Sequence, residues 1–157
     1  MNTRPLHKRL KQTRFEGPVQ EALLSVIVAA DVLRRRQAGL FEQFNITHNQ
    51  YNILRILNGV YPDGHPRCEI IDRMLERAPD VTRLIDGLVH AGYAERCRSD
   101  HDKRLSVTKI TARGRDLLET MKPLISEFDH FLQNYMTPEE CAELARLCGI
   151  IYAQEER

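Results

Sequence analysis

Pro79-Asp80-Val81-Thr82-Arg83-Leu84-Ile85-Asp86-Gly87-Leu88-Val89-His90-Ala91-Gly92 is the stretch on which the reading of the whole chain turns. Val81, Leu84, Ile85, Leu88 and Val89 recur at the spacing of one helical face, the apolar stripe of a short amphipathic helix. Pro79 suits the first helical turn and Gly92 the position just past the last. Asp80, Thr82, Arg83, Asp86 and His90 fall on the opposite face. Such a helix can pack on a core while presenting short polar and guanidinium groups outward.

The period then changes from helical to alternating. Tyr93 to Arg98 and Leu105 to Ile110 read as short strands, and the polar run Ser99-Asp100-His101-Asp102-Lys103-Arg104 between them reads as the tip of a charged hairpin. A helix followed by a basic hairpin is the pattern of a winged helix-turn-helix. In that geometry the helix enters a major groove and the wing reaches a neighbouring minor groove or the backbone.

Asp102-Lys103-Arg104, followed by Ile110-Thr111-Ala112-Arg113-Gly114 leading into a long helix, resembles the wing signature of the multiple-antibiotic-resistance regulator (MarR) family of bacteria. Val81 to Asp86 with Gly92-Tyr93-Ala94-Glu95-Arg96 is similar to that family's recognition helix and first wing strand. Ile46-Thr47 with Gln50, Tyr51 and Leu54 is similar to its second helix. The resemblance spans residues 18 to 155. It implies a homodimer that binds a pseudo-palindromic double-stranded operator and acts as a repressor released by a small aromatic or phenolic effector. In such relatives the effector pocket lies where the dimer helices meet the DNA-binding lobe, which points by position to His48, Tyr51 and Arg55. Each of these also has a packing or capping reading on the second helix.

Residue types divide the expected DNA contacts. Arg77, Arg98, Lys103 and Arg104 suit phosphate or minor-groove work, whereas Thr82 and Arg83 reach toward base edges. Arg83 has a second reading as a surface residue paired with Asp80 or Asp86. Asp80 is included as an acceptor from cytosine, and also reads as an acidic residue stabilising the helix N-terminus. Asp102 is expected to brace Arg104, since a carboxylate facing phosphate is repelled.

The chain has 157 residues and a formal net charge of +1, but the charge is unevenly placed. Residues 1–66 carry +4, residues 67–115 carry +3 and residues 116–157 carry −6. Positive charge thus lies away from the C-terminal helices. Apolar runs are far shorter than the ~20 residues that span a bilayer, and the basic N-terminus lacks the apolar core of a signal peptide; a cytoplasmic protein is expected. Cys68, Cys97, Cys141 and Cys148 lack metal-site spacing, and most of them read as reduced and structural. No motif demands a metal or other cofactor.

In chain order, residues 1–17 read as a basic arm and residues 18–44 as a long dimerisation helix. Residues 45–110 read as the DNA-binding region and residues 111–157 as C-terminal dimerisation helices. Gly17-Pro18 starts the first long helix, whose charge run Arg34-Arg35-Arg36 reads as exposed or as a contact for a ligand carboxylate or DNA. Thr47 to Gln50 forms a capping-box pattern ahead of a helix through Asn58, Gly59 to Pro66 reads as loop, and Arg67 to Leu75 reads as a third helix packing Ile70, Ile71 and Met74. Thr111 is the expected cap of the next long helix. Leu117, Met121, Leu124, Phe128, Phe131 and Tyr135 alternate by four and three as a heptad seam, interrupted at Pro123. Thr137-Pro138-Glu139-Glu140 opens a last helix with Cys141, Leu144, Ala145, Cys148, Ile151 and Tyr152 on one face. Leu23, Leu124, Phe128, Phe131, Leu144 and Ile151 are the expected dimer interface, because the terminal helices carry more apolar stripe than a small winged-helix core can cover. The fold class is therefore mainly α with a small β-wing.

Two other functions stay open on the residues alone. One is a regulator that senses oxidants through a cysteine, although no cysteine stands near the start of the first long helix, where some relatives carry it. The other is a protein-interaction module that uses the winged helix without DNA. An enzyme is not expected, since phosphate loop, HExxH and nucleophile elbow are all missing.

Overall fold

The computed structural model describes residues 5–99, 102 and 104–154. The elements run α1 (Pro5–Leu10), α2 (Pro18–Glu42), α3 (His48–Asn58), α4 (Arg67–Arg73), α5 (Val81–His90), β1 (Ala94–Arg98), β2 (Ser106–Ile110), α6 (Ala112–Gln133) and α7 (Pro138–Tyr152). The chain divides into two compact units, Met1–His48 and Asn49–Arg157. The mainly helical fold with a small β-wing is the one expected.

In the first unit the basic arm is partly helical. Leu6 of α1 is buried, and Arg9 reaches Asp31 of α2 at 3.4 Å. Arg35 pairs with the same Asp31 at 2.8 Å, so part of the exposed arginine run is held by its own helix. Helix α2 starts on Pro18 as expected but stops at Glu42, two residues before Phe44. Asn45 then turns the chain at φ 53°, a left-handed conformation that asparagine tolerates. Val19, Leu23 and Ile27 on α2 are exposed.

The second unit is built on α3. Ile53, Leu54 and Leu57 are fully buried, as are Ile70 of α4 and Leu88 of α5, while Val81, Ile85, Val107 and Ile110 are nearly so. Helix α4 ends at Arg73 rather than at Leu75. Met74 is extended, and the Leu75 N–H donates to Oδ1 of the buried Asn52 on α3 at 2.9 Å, a bond that replaces a helical one. Ile71 consequently faces out while Ile70 packs.

Helix α5 begins two residues later than Pro79 suggests. Asp80 is its cap, accepting the Arg83 N–H at 3.0 Å, and Pro79 precedes the cap. Asp80→Ala should therefore cost about 1 kcal/mol, read as a lower midpoint in chemical denaturation with unchanged slope. At the other end Tyr93 N–H donates to Leu88 O at 2.9 Å and Gly92 N–H to Val89 O at 3.0 Å, with Gly92 at φ +75°. That pair of bonds is the Schellman stop, and its left-handed residue is glycine for lack of a Cβ.

The wing strands are antiparallel and pair Ala94 with Ile110 through Arg98 with Ser106. Each is one residue shorter at its start than the alternation implied. The loop before α4 adds an unexpected element, because His65 forms a two-way backbone bridge with Thr108 of β2 at 3.0 and 2.9 Å. Gly64 sits so close to the Thr108 carbonyl that no Cβ fits between them.

Thr111 caps α6 as expected, accepting the Gly114 N–H at 3.1 Å. The heptad seam divides: Leu117 and Met121 are buried within the single chain, Leu124, Phe128 and Phe131 are half-buried, and Tyr135 is exposed. Two of the six seam residues are thus already buried within the single chain. Helix α7 opens with the full capping box between Thr137 and Glu140, at 2.8 and 3.2 Å, and buries none of its residues. No helix among the described residues is long and apolar enough to cross a membrane.

Candidate nucleic-acid interface

Burial of Val81, Ile85 and Leu88 turns the other face of α5 outward, with Thr82, Arg83, Asp86 and His90 exposed. The two carboxylates offered as partners for Arg83 are engaged elsewhere. Asp80 takes the Arg83 backbone N–H, and Asp86 pairs with Arg96 of β1 at 2.7 Å. The Arg83 guanidinium has no ion pair among the described residues. Arg77, in the exposed turn before α5, is likewise unpaired among them.

At the wing, Asp102 Oδ1 accepts from the Arg104 backbone N–H at 3.0 Å and from its Nε at 3.4 Å. These two bonds hold the root of the Arg104 side chain to Asp102. The Arg104 side chain is 93% exposed, so the brace fixes its root and leaves its terminal amino groups in solvent. Arg98 donates Nη1 to the Arg104 carbonyl at 3.3 Å, which ties the strand to the tip. Lys103 lies outside the described residues.

Four contacts tie α5, the wing base and the start of α6 together, and the sequence reading named none of them. Arg96–Asp86 links β1 to α5 directly; an alternating strand next to an amphipathic helix offers many such pairs, and spacing alone does not pick this one. Thr111 Oγ1 donates to the Gly92 carbonyl at 2.7 Å, while its N–H donates to Tyr93 O at 3.1 Å. Arg113 stacks over Tyr93 at 5.1 Å from the ring centre. The end of α5, the wing base and the start of α6 are therefore one junction.

The residues expected near an effector are disposed as follows. His48 packs its ring against Phe41 at 5.3 Å. Tyr51 and Arg55 are bonded to each other, Arg55 Nη1 to Tyr51 Oη at 3.1 Å, and both line a groove of about 250 Å³ with Leu118, Lys122 and Ile125 of α6. Lys122 has no sequence signal beyond its charge. All four cysteines are free, with Cys68 exposed and Cys97, Cys141 and Cys148 half-buried.

No protein-family model matches the chain. The Escherichia coli HTH-type transcriptional regulator PapX is 22% identical over 145 residues, covering 89% of this chain and 88% of PapX. The structure of an S. aureus MepR–DNA complex matches the fold with TM-score 0.70 at 23% identity, covering 84% of this chain and 96% of MepR. The crystal structure of a MarR transcription factor from Planctomyces limnophilus superposes with TM-score 0.66 and is 32% identical, covering 87% of this chain and 99% of the other. With that identity over nearly the whole of both chains, on a winged helix whose wing is braced by Asp102 and Arg104, this protein belongs to the MarR family of transcriptional regulators.

Proposed function

We propose that the chain works as a homodimer that grips a pseudo-palindromic double-stranded operator, represses transcription there and lets go when a small molecule binds. The observation that carries this reading is the exposure of two arginines, one on α5 and one at the wing tip, on elements tied together at one junction. Arg83 lies on the outward face of a capped helix, and Arg104 extends from a braced wing tip. Arg83 with Thr82 would read base edges in the major groove, and Arg104 with Arg98, Lys103 and Arg77 would contact phosphates or a flanking minor groove. Asp80 would then serve chiefly by capping the reading helix. The MepR neighbour is described in complex with DNA, which supports the same use of this fold here.

Dimerisation is supported by apolar surface that the chain leaves open, including Leu23 on α2 and Leu144 and Ile151 on α7, with Leu124, Phe128 and Phe131 half-buried on α6. For the effector, the groove combines the Tyr51 phenol and the Arg55 guanidinium with Lys122, which pairs with the lining Glu119 at 3.5 Å, and with the apolar Leu118 and Ile125; a small aromatic or phenolic acid would use Arg55 and the apolar wall. Two reading helices related by a two-fold enter successive major grooves. Selection from a random duplex pool should therefore enrich inverted half-sites about 10 bp apart, centre to centre. Enrichment of a single asymmetric half-site, or none, would contradict the proposal.

A further inference from the structure

Residues 1–17 hold five basic side chains against the single acid Glu16, whereas residues 18–66 are balanced at four and four. The positive excess of the N-terminal half therefore sits in the arm. From Pro5 onward that arm is folded. Leu6 of α1 is buried, and Arg9 pairs with Asp31 of α2, a carboxylate that Arg35 also holds. The chain then reverses at Lys11, whose φ is 53°. His7 closes the turn: its carbonyl accepts the Gln12 N–H at 3.2 Å, its ring Nδ1 donates to the Gln12 carbonyl at 3.1 Å, and the ring stands edge to face with Phe15 at 4.6 Å. The Glu16 N–H donates to Gln20 Oε1 at 2.8 Å, which ties the end of the loop to α2.

Lys8, Lys11 and Arg14 lie between the His7 and Phe15 rings that close this loop. All three are exposed, and none has an ion pair among the described residues. Two features separate them from an ordinary solvated charge run. Closing the loop holds three like charges near one another, a repulsion that an extended tail would relax. Lys11 also occupies a left-handed conformation in which glycine or asparagine sits with less strain. A bound polyanion offsets the first and gives a use for the charge kept at the second. Protein carboxylates fit poorly: in the acidic C-terminal segment Glu119 and Glu143 pair with Lys122 and Arg146, Glu140 caps α7, and Asp116, Glu127, Asp129 and Glu139 are spread along two helices. Duplex DNA instead offers one phosphate about every 3.4 Å along each strand.

We propose that the folded arm is a further DNA contact, in which Lys8, Lys11 and Arg14 bind backbone phosphates. Leu6 and Arg9 fix the loop before DNA arrives, so less ordering is lost on binding than for an unfolded tail. Such contacts add affinity without base choice. The inference rests on the DNA-binding function proposed above.

Salt titration of the full chain against a selected operator and a scrambled duplex tests it. The combined variant Lys8→Gln, Lys11→Gln, Arg14→Gln should bind both duplexes about tenfold or more weakly near ~0.1 M salt, with a salt slope lower by about two to five phosphate-equivalents per dimer. The preference for operator over scrambled duplex should stay within about twofold of native. Leu6→Ala keeps every charge but removes the anchor, and should weaken both duplexes about threefold with little change of slope. Sedimentation of the triple variant should match the native protein. A triple variant with native slope, on a native protein that binds both duplexes normally, would overturn the arm contact alone. Loss of self-association in the triple variant would also overturn it, and would place the arm on the acidic helices of a second copy. Native protein that binds neither duplex would overturn the DNA-binding function itself and the arm contact with it.

Discussion

Leu144→Asp combined with Ile151→Asp is expected to give a folded monomer and to cut operator affinity by about a hundredfold or more. Helix α7 has no fully buried residue, and these two side chains are 41% and 59% exposed, so charging them costs the isolated chain little. In a two-fold dimer each substitution is counted twice. At ~1.5–3 kcal/mol per large apolar side chain withdrawn from water, the double variant removes most of what such a helix contributes to association. A monomer also holds one half-site at a time and loses the tethered second contact. Leu124 and Phe128 make poorer probes, because they are half-buried inside the protomer and charging them mixes folding with assembly. Sedimentation and gel shift read the result. A variant that still sediments as a dimer and binds the operator normally would remove the terminal helices from the interface.

Gly114→Ala should be the most damaging single methyl in the chain. Gly114 is buried one turn into α6, and a Cβ there would run into the Tyr93 carbonyl and the Ile110 side chain. Both obstacles belong to the junction of α5, wing and α6, and a carbonyl fixed by the Thr111 N–H cannot step aside. Replacing glycine in a helix gains up to ~1 kcal/mol, which overpacking of about 1–3 kcal/mol or more exceeds. The melting temperature should fall by several degrees. Gly87→Ala is the contrast, since the atom in its way is Nε2 of Gln50, the end of a flexible side chain, and the helix gain should survive. Equal melting temperatures for Gly114→Ala and the native protein would show that the junction yields.

Much of this architecture is legible in the residues because local chemistry and global packing agree. The stripe of Val81, Ile85 and Leu88, the glycine stop at Gly92, the Thr111 cap and the Thr137–Glu140 box each act over a few residues, and each is found where the pattern put it. Element ends are less legible. Helix α4 stops early because Asn52, far off in sequence, captures the Leu75 N–H, and α5 starts late because Asp80 competes with Pro79 for the first turn. Long-range pairings leave little trace in one sequence. The Arg96–Asp86 brace and the His65–Thr108 bridge needed the fold before they were visible, and so did the division of the α6 seam between core and surface. The outward residues Thr82, Arg83 and Arg104 were legible for the opposite reason. Once the buried face is known, the exposed one follows.

Salt titration of Arg83→Ala and Arg104→Ala against an operator and a scrambled duplex tests most directly that helix and wing divide base reading from backbone gripping. Arg104→Ala should weaken both duplexes alike and lower the salt slope by about one phosphate-equivalent per wing. Arg83→Ala should weaken the operator by about 1–3 kcal/mol, leave the scrambled duplex nearly unchanged and relax base choice within the half-site. Arg104→Ala with unaltered affinity and salt slope, together with Arg83→Ala weakening both duplexes equally, would contradict the division of labour between the two elements.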